Sequence, residues 1–172
     1  KFLFAGGINQ RKGIDELKIA TKKLSNKNIN FELSLVGGLT KEFKNKYHDL
    51  FLNQKVKYKG ILNYKQLLNE MYKSDVFVFP SRAEGSARVI FEAMAAGCAI
   101  ITTPNTGSIV KNNVNGFLIN SGNSNQLYNS MKKFISKPSL VNNFGKVNQK
   151  LIRVKYNPKI YGEKLIQLYN SI

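Results

Sequence analysis

A Rossmann-like, doubly wound α/β domain is what this sequence predicts, on three observations. Six short β-like apolar runs alternate with helix-like segments along most of its length. The runs break off at glycine, proline or threonine, as strands of a parallel sheet do at the loops that lead into crossover helices. With 172 residues and 42% hydrophobic content, the chain holds one core but is short for two.

The elements follow in order. Phe2-Leu-Phe-Ala5 stops at Gly6, Phe31-Glu-Leu-Ser-Leu-Val36 at Gly37, and Val56-Lys-Tyr58 shortly before Gly60. Asp75-Val-Phe-Val-Phe79 stops at Pro80, Cys98-Ala-Ile-Ile-Thr102 at Thr103, and Gly116-Phe-Leu-Ile119 is the sixth run. Helices are expected near 13–25, 41–52, 64–73, 87–96, 106–111 and 124–136. After Lys137-Pro138 the strands end, and amphipathic helices are expected near 139–152 and 158–171. The reading is a six-stranded parallel sheet with helices on both faces and two extra C-terminal helices, one domain over residues 1–172. Ligands of open α/β sheets lie at the carboxyl ends of the strands, which directs attention to the loops at Gly6, Gly37, Gly60, Pro80 and Thr103.

Composition excludes several classes. One cysteine, Cys98, in an apolar run allows no disulfide framework and no cysteine-ligated zinc site. No apolar stretch approaches the roughly 20 residues that span a bilayer, and the start lacks a signal-peptide layout, so a cytoplasmic setting is expected. The first residue is Lys1, inside an apparent strand, and the chain is read as a fragment of a longer protein. A net charge of +17 invites a nucleic-acid reading. The cations are dispersed, however, and are mostly Lys, with Arg only at 11, 82, 88 and 153, whereas base reading and bidentate phosphate clamping favour Arg. A solvated Lys- and Asn-rich surface fits better, with no nucleic-acid partner and with attraction to an anionic membrane surface as a secondary role, peripheral at the inner face of the membrane.

The loop Ala5-Gly6-Gly7-Ile-Asn-Gln-Arg11-Lys12-Gly13 joins a strand to a helix. Gly7 lets backbone N–H groups approach an anion, and Arg11 and Lys12 add charge. The spacing is neither of the common phosphate-loop patterns, and glycine pairs also make plain turns. Val36-Gly37-Gly38 offers a similar close approach at Gly38.

The most informative segment is Phe79-Pro80-Ser-Arg-Ala-Glu84-Gly85-Ser86-Ala87-Arg88-Val89-Ile-Phe-Glu92-Ala-Met-Ala-Ala-Gly97. Glu92 is the only charge between Val89 and Val110, in a helix apolar on every side and therefore expected to be largely buried. A buried carboxylate needs a partner. An ion pair with Arg88 at i,i+4 supplies only about 0.2–0.5 kcal/mol; the alternative is a pair of hydrogen bonds from vicinal ribose hydroxyls. Gly85, Ser86 and Ala87 would present N–H groups at the helix start. A nucleotide sugar then fits with ribose at Glu92, diphosphate over residues 86–89, and sugar near Glu84. The helix dipole and Arg88 would stabilise charge on the departing diphosphate. No Asp-x-Asp occurs, the aspartates are Asp15, Asp49 and Asp75, and His48 lies among polar residues, so no metal site is expected.

The Glu84-x7-Glu92 segment with Ala-Met-Ala-Ala-Gly97 resembles the signature of the group 1 glycosyltransferases of the two-Rossmann-domain (GT-B) type. Phe4 to Gly13, Leu35-Val-Gly-Gly38, Lys59-Gly60-Ile-Leu, Ser74 to Ser81, Ile100-Ile-Thr-Thr103 and Val114-Asn-Gly116-Phe-Leu resemble that family's blocks in order, over roughly residues 2–136. The resemblance implies transfer of a sugar from a nucleoside-diphosphate donor with retention, without a metal cofactor, and with Glu84 as the catalytic candidate. It also implies a second, N-terminal domain carrying the acceptor site, absent here, so that this chain alone would not transfer sugar. Gly60, Ile61 and Leu62 would lie against the base. Two departures stand out: Gly7 where members often carry Arg, for which Arg11 or Arg88 could compensate, and Ser108 where a Glu is frequent. Other readings are a different GT-B activity, such as a nucleotide-sugar epimerase or a glycan phosphorylase, and a basic non-catalytic binding module.

Overall fold

The computed structural model describes residues 1–171. Six strands, β1 (Phe2–Ala5), β2 (Leu33–Val36), β3 (Val56–Tyr58), β4 (Val76–Phe79), β5 (Ala99–Thr102) and β6 (Gly116–Leu118), form one parallel sheet in the order β3-β2-β1-β4-β5-β6. The order reverses between β1 and β4, where Phe2 pairs with Leu33 on one side and Val76 on the other. That reversal opens a crevice at the carboxyl ends of the two strands. Leu3, Phe4, Leu33, Leu35, Phe77, Val78, Ile100 and Ile101 are fully buried, as strands covered on both faces require.

The helices are α1 (Ile14–Asn26), α2 (Lys41–Lys46), α3 (His48–Leu52), α4 (Tyr64–Tyr72), α5 (Arg88–Ala95), α6 (Ser124–Ser136), α7 (Pro138–Lys155) and α8 (Pro158–Tyr169). α1 packs against α6, and α5 packs against α4 and α7. Right-handed crossovers running outward from β1 and β4 in opposite directions set these groups on opposite faces. The Rossmann-like doubly wound sheet and the two extra C-terminal helices are thus observed.

Three expectations need correction. The helix expected near 106–111 is absent: Pro104–Thr106 makes a single 3₁₀ turn, and Gly107, at φ +58°, ends it. A Cβ on Gly107 would stand 2.2 Å from the Gly85 carbonyl oxygen, so the chain passes there as close-packed backbone and β5 is the one strand not followed by an α-helix among the described residues. The helix expected over 41–52 divides at Tyr47, whose ring turns into the core while its hydroxyl donates to Asp15 Oδ1 at 2.8 Å. The α5 helix, apolar on every side, is not buried all round: Ile90, Ala93 and Met94 face the core, whereas Ala95 is exposed and Phe91 and Glu92 are half-buried.

Candidate functional site

The loops at the carboxyl ends of β1, β2 and β4 are held together by glycine. Gly37 (φ +139°) has no room for a side chain, since a Cβ would lie 1.8 Å from the Gly6 carbonyl oxygen, and a Cβ on Gly13 (φ +79°) would lie 2.2 Å from that of Pro80. Asn9 caps the 3₁₀ turn Gln10–Lys12, its side chain accepting from the Lys12 N–H at 3.1 Å. This turn sends Lys12 back across the crevice, with Nζ 5.1 Å from the centre of the Phe79 ring.

There it meets Glu84. Lys12 Nζ lies 2.6 Å from Glu84 Oε1, the Ser81 hydroxyl donates to the same oxygen at 2.6 Å, and Arg11 Nη1 donates to it at 3.0 Å and to the Ala83 carbonyl at 2.8 Å. Burial alone would raise the Glu84 carboxyl, but hydrogen bonds from Lys12 and Ser81, with the charges of Lys12 and Arg11, hold it below the usual carboxylate range. An ionised carboxylate held in place next to two cations can face a developing positive centre, such as an anomeric carbon. It cannot serve as a proton donor near neutral pH.

The α5 N-terminus opens beside it. Ala87 at the N-cap has no side-chain cap, and no acidic residue occupies the first turn. Of the N–H groups at residues 86–89, that of Ala87 donates to the Thr106 carbonyl and that of Arg88 to the Ser86 carbonyl, each at 3.0 Å. Among the described residues, those of Gly85, Ser86 and Val89 meet no backbone acceptor. The helix start therefore carries free donors and partial positive charge, next to Lys12 and Arg11.

One turn into α5, the Glu92 side chain is 19% exposed. Arg88 Nε stands 3.5 Å from its Oε1, a loose contact in which the Arg88 side chain remains 92% exposed. Burial raises the Glu92 carboxyl, and the Arg88 charge only partly opposes this. Glu92 faces a cleft of about 890 Å³ lined by residues of α4, α5, α7 and α8, among them Tyr64, Phe91, Tyr156 and Tyr161. At the β2 and β3 ends, the Gly37 N–H donates to the Gly60 carbonyl at 2.8 Å and the Tyr58 hydroxyl donates to the Gly37 carbonyl at 3.0 Å. This leaves Ile61 81% exposed above Gly38 and Leu62 half-buried.

The structure thus brings Arg11, Lys12 and Glu84 into direct contact, sets Gly85 to Val89 at the adjoining helix start and Glu92 one turn further, and lays Gly7, Gly38, Ile61 and Leu62 along the neighbouring strand ends. Arg11, weighed as a substitute for the arginine missing at Gly7, is engaged with Glu84, while Arg88 extends into solvent. Three contributors escaped the sequence reading. Ser81 is the third donor to Glu84, and its position three residues upstream in the same loop was a usable signal. Asn105 accepts the Glu84 N–H through its carbonyl at 2.9 Å. Arg82 donates to the buried Glu16 carboxylate at 2.6 Å and anchors the loop to α1, a contact 66 residues apart in sequence that no local pattern announces.

Residues 1–151 match the family model described as glycosyl transferases group 1. The chain is similar to the capsular polysaccharide biosynthesis glycosyltransferase CapM of Staphylococcus aureus, with 32% identity over 171 residues, covering 98% of this chain and 45% of that protein. In fold it is similar to HepE of Anabaena, solved in complex with UDP, at a TM-score of 0.86 and 22% identity, covering 99% of this chain and 49% of that one. It is likewise similar to the C-terminal domain of a group 1 family glycosyl transferase (LpcC) from Francisella tularensis, at a TM-score of 0.79 and 24% identity, covering 91% and 86% of the two chains. The chain spans less than half the length of the curated relatives it matches. Among the described residues, no helix is long and apolar enough to cross a membrane.

Proposed function

The chain belongs to the group 1 glycosyltransferases, and from that premise we propose that it is the donor-binding domain of a retaining, metal-independent enzyme that transfers a hexosyl or N-acetylhexosaminyl unit from a nucleoside-diphosphate sugar to a glycan, lipid or protein acceptor. The observation that carries the reading is the convergence of Lys12, Arg11 and Ser81 on Glu84 beside the uncapped start of α5. The diphosphate lies over the free N–H groups of Ser86 and Val89, within reach of Lys12, so helix dipole and lysine supply the positive charge that stabilises the leaving group. Glu84 faces the anomeric carbon, where the ionised carboxylate stabilises growing positive charge. Glu92 accepts hydrogen bonds from the ribose hydroxyls, and Gly38, Ile61 and Leu62 flank the base. Gly7, next to the close Gly6–Gly37 crossing, leaves the backbone open to the donor.

A UDP complex is known for HepE, a protein of the same fold, which supports a nucleoside diphosphate as ligand class here. An N-terminal domain of the same polypeptide would carry the acceptor site. The enzyme would work in the cytoplasm, with peripheral attraction to the inner face of the membrane through its net charge of +17. Melting of the chain with excess UDP, GDP or ADP in EDTA tests the reading: at least one nucleotide should raise the melting temperature. No shift with any of them, or a shift only with added divalent metal, would overturn it. Incubation with donor should give at most slow hydrolysis, and robust sugar transfer by these 172 residues would contradict the division of labour.

A further inference from the structure

Two residues at the start of α1 face two residues of the β4–α5 loop, with their charges in opposite order. Lys12 and Glu16 stand four positions apart, Arg82 and Glu84 two. Lys12 Nζ lies 2.6 Å from Glu84 Oε1, and Arg82 Nη2 donates to Glu16 Oε1 at 2.6 Å. Sliding the loop along α1 by one pair would bring Lys12 to Arg82 and Glu16 to Glu84, like charge against like, so the crossed pairing favours a single register. Asp15, which accepts from the Tyr47 hydroxyl, places Oδ2 3.8 Å from Arg82 Nη2 and adds a second negative charge on the same side.

The Glu16–Arg82 contact is a poor source of stability. The Glu16 side chain is 3% exposed, its Oε2 finds no hydrogen-bond donor among the described residues, and the Arg82 side chain is 45% exposed. Desolvation of the carboxylate offsets much of the attraction, and apolar side chains of similar volume often serve a fold equally well. What the pair supplies is position. The Arg82 N–H donates to the Arg11 carbonyl at 2.8 Å, and the Arg82 carbonyl accepts from the Asn105 side chain at 2.9 Å. With its guanidinium on α1, Arg82 is thus tied to three elements, two residues before Glu84. The neighbouring Ser81 hydroxyl, which donates to Glu84, lies 3.1 Å from that same Arg11 carbonyl. We propose that Glu16 and Arg82 are positioning residues for the donor site: their ion pair fixes the loop on α1 so that Glu84 meets Lys12 and holds it beside the start of α5. The proposal rests on the donor-site reading and adds to it two residues that act through Lys12 and Glu84.

Glu16→Gln tests it, since the amide keeps the shape and one acceptor for Arg82 while removing the charge. Measured well below the melting temperature, UDP should bind Glu16→Gln about tenfold more weakly than wild type, within the coupling found between contacting side chains. In a Lys12→Met background the same substitution should change UDP affinity by less than about twofold, because the residue it acts through is gone. Equal losses in both backgrounds would mark Glu16 as structural only and overturn the proposal. The double variant E16Q/R82Q buries no charge at this contact and should melt close to wild type, yet bind UDP as weakly as Glu16→Gln. Wild-type affinity in that double variant would also overturn the proposal. A second readout needs no nucleotide. The Glu84 carboxyl carbon, followed by NMR against pH, should titrate at a higher pH in Glu16→Gln than in wild type, because the cations that favour its ionised form are no longer held against it. An unchanged midpoint would refute the positioning role. Should wild type bind no UDP, the donor-site reading falls, and the Glu84 midpoint alone decides on the ion pair.

Discussion

Replacing Glu92 by Gln separates donor binding from folding, because the two depend on different features of this carboxylate. Among the described residues its partner is Arg88, at 3.5 Å and 92% exposed. An exposed i,i+4 pair contributes about 0.2–0.5 kcal/mol. Relief from desolving a charge offsets that loss, since burial already raises the Glu92 carboxyl. At about 2–4 °C per kcal/mol for a domain of this size, the melting temperature should move by no more than about 2 °C. The sign depends on pH. A raised folded-state pKa favours the protonated form, so wild type pays nothing below the ordinary glutamate value of about 4.3 and an increasing cost as pH climbs through the raised value. Glu92→Gln should therefore gain on wild type as pH rises toward 7. Affinity for UDP should fall by about 1.5–3 kcal/mol, the range for hydrogen bonds to a charged group, or about tenfold to 150-fold in Kd. Calorimetry on wild type, Glu92→Gln and Arg88→Gln decides the matter. If both variants destabilise the apo chain equally and leave Kd unchanged, Glu92 is a structural ion-pair partner and the ribose assignment fails.

Other expectations follow from the same geometry. Lys12→Met removes a 2.6 Å charge-assisted bond between side chains 14% and 13% exposed, and should cost about 1.5–3 kcal/mol in denaturant melts and weaken nucleotide binding as well. Glu84 has a lowered folded-state pKa, so its stabilisation is present above about pH 4.3 and lost as pH falls through the folded value; the stability difference between wild type and Glu84→Gln should narrow as pH falls below that ordinary glutamate value. Arg82→Gln leaves the Glu16 carboxylate, 3% exposed and with Oε2 already without a partner, uncompensated. Breaking a buried pair costs about 3–5 kcal/mol, and the half-exposed Arg82 places the expected loss at the lower end, measurable by urea titration. Gly37→Ala forces a Cβ to within 1.8 Å of the Gly6 carbonyl oxygen and should destabilise by well over about 1 kcal/mol, whereas Gly38→Ala meets nothing closer than 3.8 Å and should be nearly neutral in thermal melts.

The strands were legible because a sheet covered on both faces writes itself as unbroken apolar runs, such as Val76 to Phe79 and Ala99 to Thr102. Their ends shifted by a residue or two, with β2 beginning at Leu33, not Phe31. The missing helix after β5 and the break at Tyr47 were not legible, because each depends on a distant contact: Gly107 against Gly85, and Tyr47 with Asp15. Within the site, the Glu84 and Glu92 spacing was readable along one loop and helix. The meeting of Lys12 with Glu84, 72 residues apart, follows only from the sheet order that sets β1 beside β4. The aromatic cleft draws on Tyr64 and Tyr161, far apart in sequence, and no periodicity in either segment marks it.

The most direct test of the donor-site account is an amide-resolved NMR titration of the chain with UDP in EDTA. The account predicts that shifts concentrate at Gly7, Lys12, Gly38, Ile61, Ser86, Val89 and Glu92, with amides of the cationic α7 face around Lys146 and Lys150 unmoved. Shifts centred on that α7 face with the β1, β2 and α5 ends silent, or none at saturating nucleotide, would contradict it.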